Sequence, residues 1–215
     1  MNYRTFLVES GKRMLNRGLT VETWGNISVR DPETGLIYLT PSAMPYNLIT
    51  EDDVVVMRPD GAIASGHRKP TVESGMHLGI LAARPEVNAI IHTHPIYSQV
   101  FAVLRQSIPP IIDEAAQALG GEVRTAEYAL PGTPELAQNA LKALGDQGSA
   151  CLLANHGAVC VGETMEQTFR VCTVLEMTAH IYYMALSVGK PCVLSDELVS
   201  AMRDFAENHY GQGKD

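Results

Sequence analysis

The stretch at positions 87–94, Val-Asn-Ala-Ile-Ile-His-Thr-His, constrains the fold more than any other part of the chain. Its apolar residues lie between Pro85 and Pro95, a span too short for a typical helix and rich in β-branched side chains, so it reads as a buried strand. Residues i and i+2 of a strand share a face, which puts His92 and His94 on one side, about 7 Å apart along a backbone that rises ~3.3 Å per residue. A strand ending His-Thr-His-Pro presents them where the sheet opens into a loop. The pair is either two satisfied histidines near a surface or two ligands for one ion, and the spacing alone leaves both readings open.

Around this strand, helical and extended patterns alternate. Residues 3–17 carry Phe6, Leu7, Met14 and Leu15 at helical spacing and end at Gly18. Short extended pieces follow at 25–31, 36–41 and 53–61, separated by Pro, Gly and Asp turns. Helices are predicted over 71–85, 97–106 and 133–145, the last entered through Thr133-Pro134 and ended by Gly145. The run 149–162 predicts a strand with a turn at its glycine, Gly157, and helices over 164–188 and 195–208 close the chain. Short strands with helices outside them argue for an α/β layered sandwich. No repeat interrupts residues 1–215, and no linker-like run precedes the terminal Tyr-Gly-Gln-Gly-Lys-Asp, so one domain is expected.

Composition excludes several partners. A net charge of -8 provides no basic field to hold a nucleic acid or an anionic membrane surface. The amino-terminal segment mixes charged residues through its apolar ones, unlike a signal peptide or a membrane span, so a cytoplasmic protein is expected. Cys151, Cys160, Cys172 and Cys192 form no CxxC pair and read as reduced core thiols. Trp24 and methionines such as Met44, Met177 and Met184 read as packing residues.

Two residues outside the strand bear on the histidine pair. His156 follows another apolar run and precedes Gly157, which permits close backbone approach. Glu73 stands near the start of a predicted helix, one turn before His77, which reads first as a helix-packing histidine and second as a support behind the site. Three imidazoles and a carboxylate suit a divalent metal such as zinc, manganese, iron or cobalt, although the distance along the chain does not show that they meet. Binding of an anion has a local candidate as well. Gly25 and Asn26 form a tight turn, Thr40 and Ser42 offer hydroxyls, and Thr71 sits at a helix start whose free N–H groups favour negative charge, with Arg68 and Lys69 nearby.

Taken in order, "WGNISVR", "LTPSAMPY", "KPTVE", "AIIHTH", "RQSIPP", "NHGAV" and "HYG" resemble the class II aldolase/adducin family, on its L-fuculose-1-phosphate aldolase side, over nearly the whole chain. The resemblance implies a three-layer sandwich with a mostly antiparallel central sheet flanked by helices, and a homotetramer with active sites at subunit interfaces. It implies one divalent metal ion per subunit, Zn2+ first and Mn2+ or Co2+ next, held by Glu73, His92, His94 and His156. The implied substrate is a small sugar phosphate, L-fuculose 1-phosphate or a related deoxy-sugar phosphate. It would be cleaved reversibly into dihydroxyacetone phosphate and an aldehyde through a metal-stabilised enediolate. Neutral imidazole ligands leave most of the metal's charge available for that purpose. Glu73 doubles as the base on the donor carbon, Tyr210 gives a proton to the aldehyde oxygen, and Gly25, Asn26, Thr40, Ser42 and Thr71 bind the phosphate.

Two departures from the family pattern affect the reaction. Thr71-Val72 stands where the family has two serines, and Asp113-Glu114 stands where the aldolases place a tyrosine from the neighbouring subunit. Glu114 is therefore the candidate acid there. The same metal-enediolate chemistry would also serve 4-epimerisation of a pentulose phosphate or decarboxylation of a 3-oxo sugar acid phosphate. A non-enzymatic, adducin-like binding module has no need of the four ligands.

Overall fold

The computed structural model describes residues 1–209 and Gln212. Its eight strands are β1 (Asn26–Arg30), β2 (Ile37–Leu39), β3 (Val55–Met57), β4 (Ile63–Ser65), β5 (Ala89–Thr93), β6 (Thr125–Ala126), β7 (Ala150–Leu153) and β8 (Gly157–Gly162). They form one sheet in the order β4-β3-β2-β1-β5-β8-β7-β6. All pairings are antiparallel except the parallel pair β6–β7. The helices are α1 (Tyr3–Asn16), α2 (Ser74–Ala83), α3 (Ile96–Leu104), α4 (Asp113–Leu119), α5 (Pro134–Leu144), α6 (Met165–Val188) and α7 (Asp196–Asn208).

Every residue of β5 is buried, so both faces of the sheet must be covered there. Alternation along the strands sends side chains into two separate cores. Ile91 joins Ile27, Leu152 and Phe169 in a core that also takes residues of α1, α3, α4 and α6. Ile90 joins Leu39, Val159 and Ile80 in a second core, closed by α2 and α5. The period of two in strand side chains puts these cores on opposite faces, an α/β arrangement. Burying each such side chain is worth ~1.5–3 kcal/mol, so apolar cover on both faces is what holds β5 in place.

Local chemistry starts the helices where the pattern predicts. Asn2 caps α1 by accepting from the Arg4 and Thr5 N–H groups. Thr133 caps α5 with Pro134 in its first turn, and Thr164 forms a reciprocal capping box with Gln167 on α6. α6 is long and apolar enough to cross a membrane, with a mean hydropathy of 1.3. Its buried residues, from Met165 to Ala179, nevertheless pack as a core helix on β5 and β8. Beyond Ala179 the apolar stripe continues without cover, so Met184 is 57% exposed, and Met177 and Trp24 are exposed as well. These three residues correct the packing assignment. Cys192 is also exposed, whereas Cys151, Cys160 and Cys172 are buried free thiols.

The turn between β7 and β8 is another correction. The left-handed residue is Asn155 (φ 55), not Gly157, which opens β8. Asparagine tolerates this conformation, so the turn does not require the glycine. Gly157 serves close approach instead, since a Cβ there would lie 2.4 Å from the Thr93 carbonyl oxygen.

Phe169, fully buried beneath the Arg13 guanidinium, anchors α6 on the first core. Phe169→Ala is expected to lower unfolding free energy by about 3–5 kcal/mol in urea titrations. A loss below about 1 kcal/mol would mean that this core repacks freely.

Candidate metal centre

The end of β5, the turn into β8 and the entrance to α2 meet at one point. His92 is completely buried, and its Nδ1–H donates to the Ala158 carbonyl on the neighbouring strand at 2.9 Å. That bond leaves the Nε2 lone pair facing away from the sheet. The backbone N–H of His94 donates to the Leu19 carbonyl at 2.9 Å, and its Nε2 lies 2.9 Å from His92 Nε2. His156 follows Asn155, and its Nε2 lies 3.4 Å from Glu73 Oε1. Glu73 Oε2 lies 3.2 Å from His92 Nε2.

The three rings stand edge to face, with centroids 4.7, 4.8 and 5.1 Å apart, like blades around a common axis. One ligand atom from each of His92, His94 and His156 lies within 4.8 Å of the others, so the triad could hold a metal ion. Two polar atoms at the same place, Glu73 Oε1 and His156 Nδ1, are buried without a hydrogen-bond partner. Such orphans are costly, and convergent imidazoles with an unpartnered carboxylate oxygen fit a divalent cation of the zinc type.

Electrostatics prepare the rings for this role. Burial, then the neighbouring histidines, pushes His94 down to about 3, while burial carries His92 to about 4. Burial and His92 also lower His156. At neutral pH the rings are therefore uncharged, and their lone pairs are available.

Glycines fit tightly around the centre. A Cβ on Gly25 (φ 72) would lie 2.6 Å from the His92 carbonyl oxygen, and one on Gly157 would press on the His92 and His94 rings as well as on Thr93. Beside the centre, the segments 40–42 and 69–71 are joined by a bridge between Pro41 and Pro70. Thr71 N–H donates to the Thr40 carbonyl, and Ser42 N–H to the Lys69 carbonyl. Gly25, Asn26, Thr40, Ser42 and Thr71 thus lie in one neighbourhood. Some of their groups are already engaged: Thr40 Oγ1 accepts from Ile27 N–H, and the Asn26 amide donates to Glu73 Oε2 at 2.8 Å. Arg68 is paired with Asp53, whose carboxyl is held down at about 2 by hydrogen bonds from Thr50 and then by Arg68.

Glu114 lies exposed in the first turn of α4, which packs on α6 and α7. Because α4 and α2 belong to different cores, Glu114 stands on the opposite layer from Glu73 within one protomer. Tyr210 lies outside the described residues. His77, assigned to packing from sequence, is fully buried and hydrogen-bonded at both nitrogens, to Ser28 and Asn26. A signal was present, because polar Asn26 and Ser28 alternate with Ile27 and Val29 on a strand whose first four residues are all buried.

Two outcomes follow from this geometry. Gly157→Ala should break the β5–β8 junction and abolish stoichiometric Zn2+ binding, read by calorimetric titration; wild-type binding would contradict the close approach. The folded values of His77 and His92, about 3 and about 4, lie below the unfolded value. The unfolded chain therefore binds more protons, and the stability of the metal-free protein should fall as pH drops from roughly 6.5 towards 4. Urea midpoints that do not move across this window would contradict the burial of neutral rings.

Residues 6–183 match the model of the class II aldolase and adducin N-terminal domain. The chain is 36% identical to 5-deoxy-D-ribulose 1-phosphate aldolase of Bacillus thuringiensis over 98% of its length and 97% of that protein. It is 35% identical to 5-methylthioribulose-1-phosphate/5-deoxyribulose-1-phosphate aldolase of Rhodospirillum rubrum, over 93% of this chain and 89% of the other. Among solved structures, an L-fuculose 1-phosphate aldolase superimposes with a TM-score of 0.92 at 39% identity, over 95% of each chain. These relatives are named as aldolases, which are carbon–carbon lyases. With its sheet, its helices and most of its length accounted for in this way, the chain belongs to the class II aldolase and adducin family.

Proposed function

We propose that this protein is a metal-dependent class II aldolase that reversibly cleaves a small ketose 1-phosphate into dihydroxyacetone phosphate and an aldehyde. The observation that carries the reading is the convergence of His92, His94 and His156 beside Glu73, whose Oε2 lies 3.2 Å from His92 Nε2 and whose unpartnered Oε1 lies 3.4 Å from His156 Nε2. Those four side chains would hold the cation, Zn2+ first. When bound, it supplies Lewis acidity that polarises the ketone and offsets the charge left on the donor half.

The remaining work belongs to the chain's own residues. Gly25, Asn26, Thr40, Ser42 and Thr71 orient the phosphate. In the cleavage direction Tyr210, as the phenolate, would accept the proton of the C4 hydroxyl as the C3–C4 bond breaks, and Glu73, in its protonated form, would give a proton to C3 of the donor half; a proton passed through solvent from Tyr210 to Glu73 then resets both groups. The 5-deoxyribulose 1-phosphates named for the two relatives support a deoxy-sugar phosphate, of which L-fuculose 1-phosphate is another, as the substrate.

The two cores on opposite faces support a three-layer sandwich. The uncovered apolar residues Ile181, Met184, Leu186 and Val188 support a homotetramer with active sites at subunit interfaces, where Glu114 would reach a neighbour's site. The buried free thiols support a cytoplasmic location.

A second reading, epimerisation of a pentulose phosphate or decarboxylation of a 3-oxo sugar acid phosphate, draws on Asp113 and Glu114. The products decide between them. The Zn2+-loaded protein should release dihydroxyacetone phosphate from a panel of deoxyketose 1-phosphates in a coupled assay, and Glu73→Gln should lose about 10²–10⁴-fold in rate while retaining metal. If no panel member yields dihydroxyacetone phosphate, but a stereoisomer or carbon dioxide appears, the second reading replaces the first.

A further inference from the structure

His77 lies on α2, one helical turn beyond Glu73 and completely buried, with both ring nitrogens engaged. Ser28 Oγ is 2.7 Å from Nδ1, and Asn26 Oδ1 is 2.6 Å from Nε2. Asn26 Nδ2 in turn donates to Glu73 Oε2 at 2.8 Å. The direction of this chain is fixed from the carboxylate end. An ionised carboxylate only accepts, so Asn26 must turn its NH2 towards Glu73 and its carbonyl towards His77. The carbonyl also only accepts, so the proton of His77 sits on Nε2. Burial keeps the ring neutral, its value pushed down to about 3, which leaves a lone pair on Nδ1 for the Ser28 hydroxyl. Every donor from Ser28 onward therefore points towards Glu73.

The result is an asymmetric carboxylate. Oε2 is held by Asn26, whereas Oε1 has no hydrogen-bond partner and faces His156 Nε2 at 3.4 Å. We infer that His77 is a positioning residue for Glu73: with Ser28, and through Asn26, it locks the carboxylate's orientation, with Oε2 fixed by Asn26 and 3.2 Å from His92 Nε2, and Oε1 left without a hydrogen bond and open to the cation and the substrate. The identity of the proton that Oε1 carries rests on the aldolase reading; the lock itself rests on the contacts. Packing does not account for His77, because α2 is already lined by Met76, Ile80 and Leu81, and an apolar side chain would fill the same space without a polar desolvation cost. Without the imidazole, the Asn26 carbonyl loses its donor, the amide is free to turn, and Glu73 can rotate.

The test compares His77→Leu, His77→Gln and Ser28→Ala in the Zn2+-loaded protein. In His77→Leu, kcat should fall about 10–100-fold while KM for the best deoxyketose 1-phosphate stays within about threefold, with Zn2+ content unchanged. His77→Gln keeps an N–H donor towards Asn26 and should recover most of the rate, and Ser28→Ala should lose less than His77→Leu in the same parameter. Imidazole 15N–1H spectra of the metal-free wild type should show His77 as the Nε2–H tautomer with a bare Nδ1. Wild-type kcat in His77→Leu, or an Nδ1–H tautomer, overturns the inference. If His77→Leu does not fold, wild-type kcat in Ser28→Ala together with an Nδ1–H tautomer overturns it. A wild type that cleaves no ketose 1-phosphate overturns the aldolase reading instead, and the tautomer alone then decides the lock.

Discussion

The burial of β5 between β1 and β8 is the constraint on which the rest of this structure depends. A five-residue strand with no exposed residue needs apolar cover on both faces, and that requirement places α1, α3, α4 and α6 on one side and α2 and α5 on the other. The strand carries His92 to a depth where its Nδ1 can be satisfied only by the adjacent carbonyl of Ala158. One backbone bond therefore fixes the tautomer, the ring orientation and the direction of the free lone pair. Gly25 and Gly157 complete the arrangement, since a side chain at either position would collide with the β5 backbone.

The same burial that stabilises the sheet also gives the centre its chemistry. Desolvation, and for His94 and His156 the neighbouring rings, disfavours imidazolium, so the three rings stay neutral. Ionic interactions elsewhere contribute little by comparison. Pairs such as Arg13 with Glu166 and Arg84 with Glu86 lie partly in solvent, where an ion pair is worth ~0–1 kcal/mol. Organisation of the centre comes from backbone pairing and close packing, and its reactivity comes from the dry environment they create.

Much of this was legible in the sequence, for identifiable reasons. The long helices α1, α5 and α6 are announced by caps and apolar spacing, and β5 by its bounded apolar run. β4, β6 and α4 are too short for periodicity to register, and β4 is an exposed edge strand with no apolar face to read. His92, His94 and His156 could be proposed as a set, but only folding could bring His92 on β5 beside His156 in the turn that leads into β8. The close approach at Gly157 was legible from the glycine itself, whereas the turn was misplaced onto it because Asn155 takes the left-handed position. His77 was underestimated because its partners, Asn26 and Ser28, lie far away along the chain. Met184 and Trp24 were overestimated as core residues because apolar identity does not reveal which residues the fold leaves uncovered.

The central claim is that three imidazoles and Glu73 form one divalent-cation site. Titration of Zn2+ into metal-stripped protein at neutral pH tests it most directly, with His94→Ala and His156→Ala titrated in parallel. The account predicts one equivalent of Zn2+ bound per chain and loss of that binding in both variants. Failure of the wild type to bind stoichiometrically, or undiminished binding after removal of either imidazole, would contradict it.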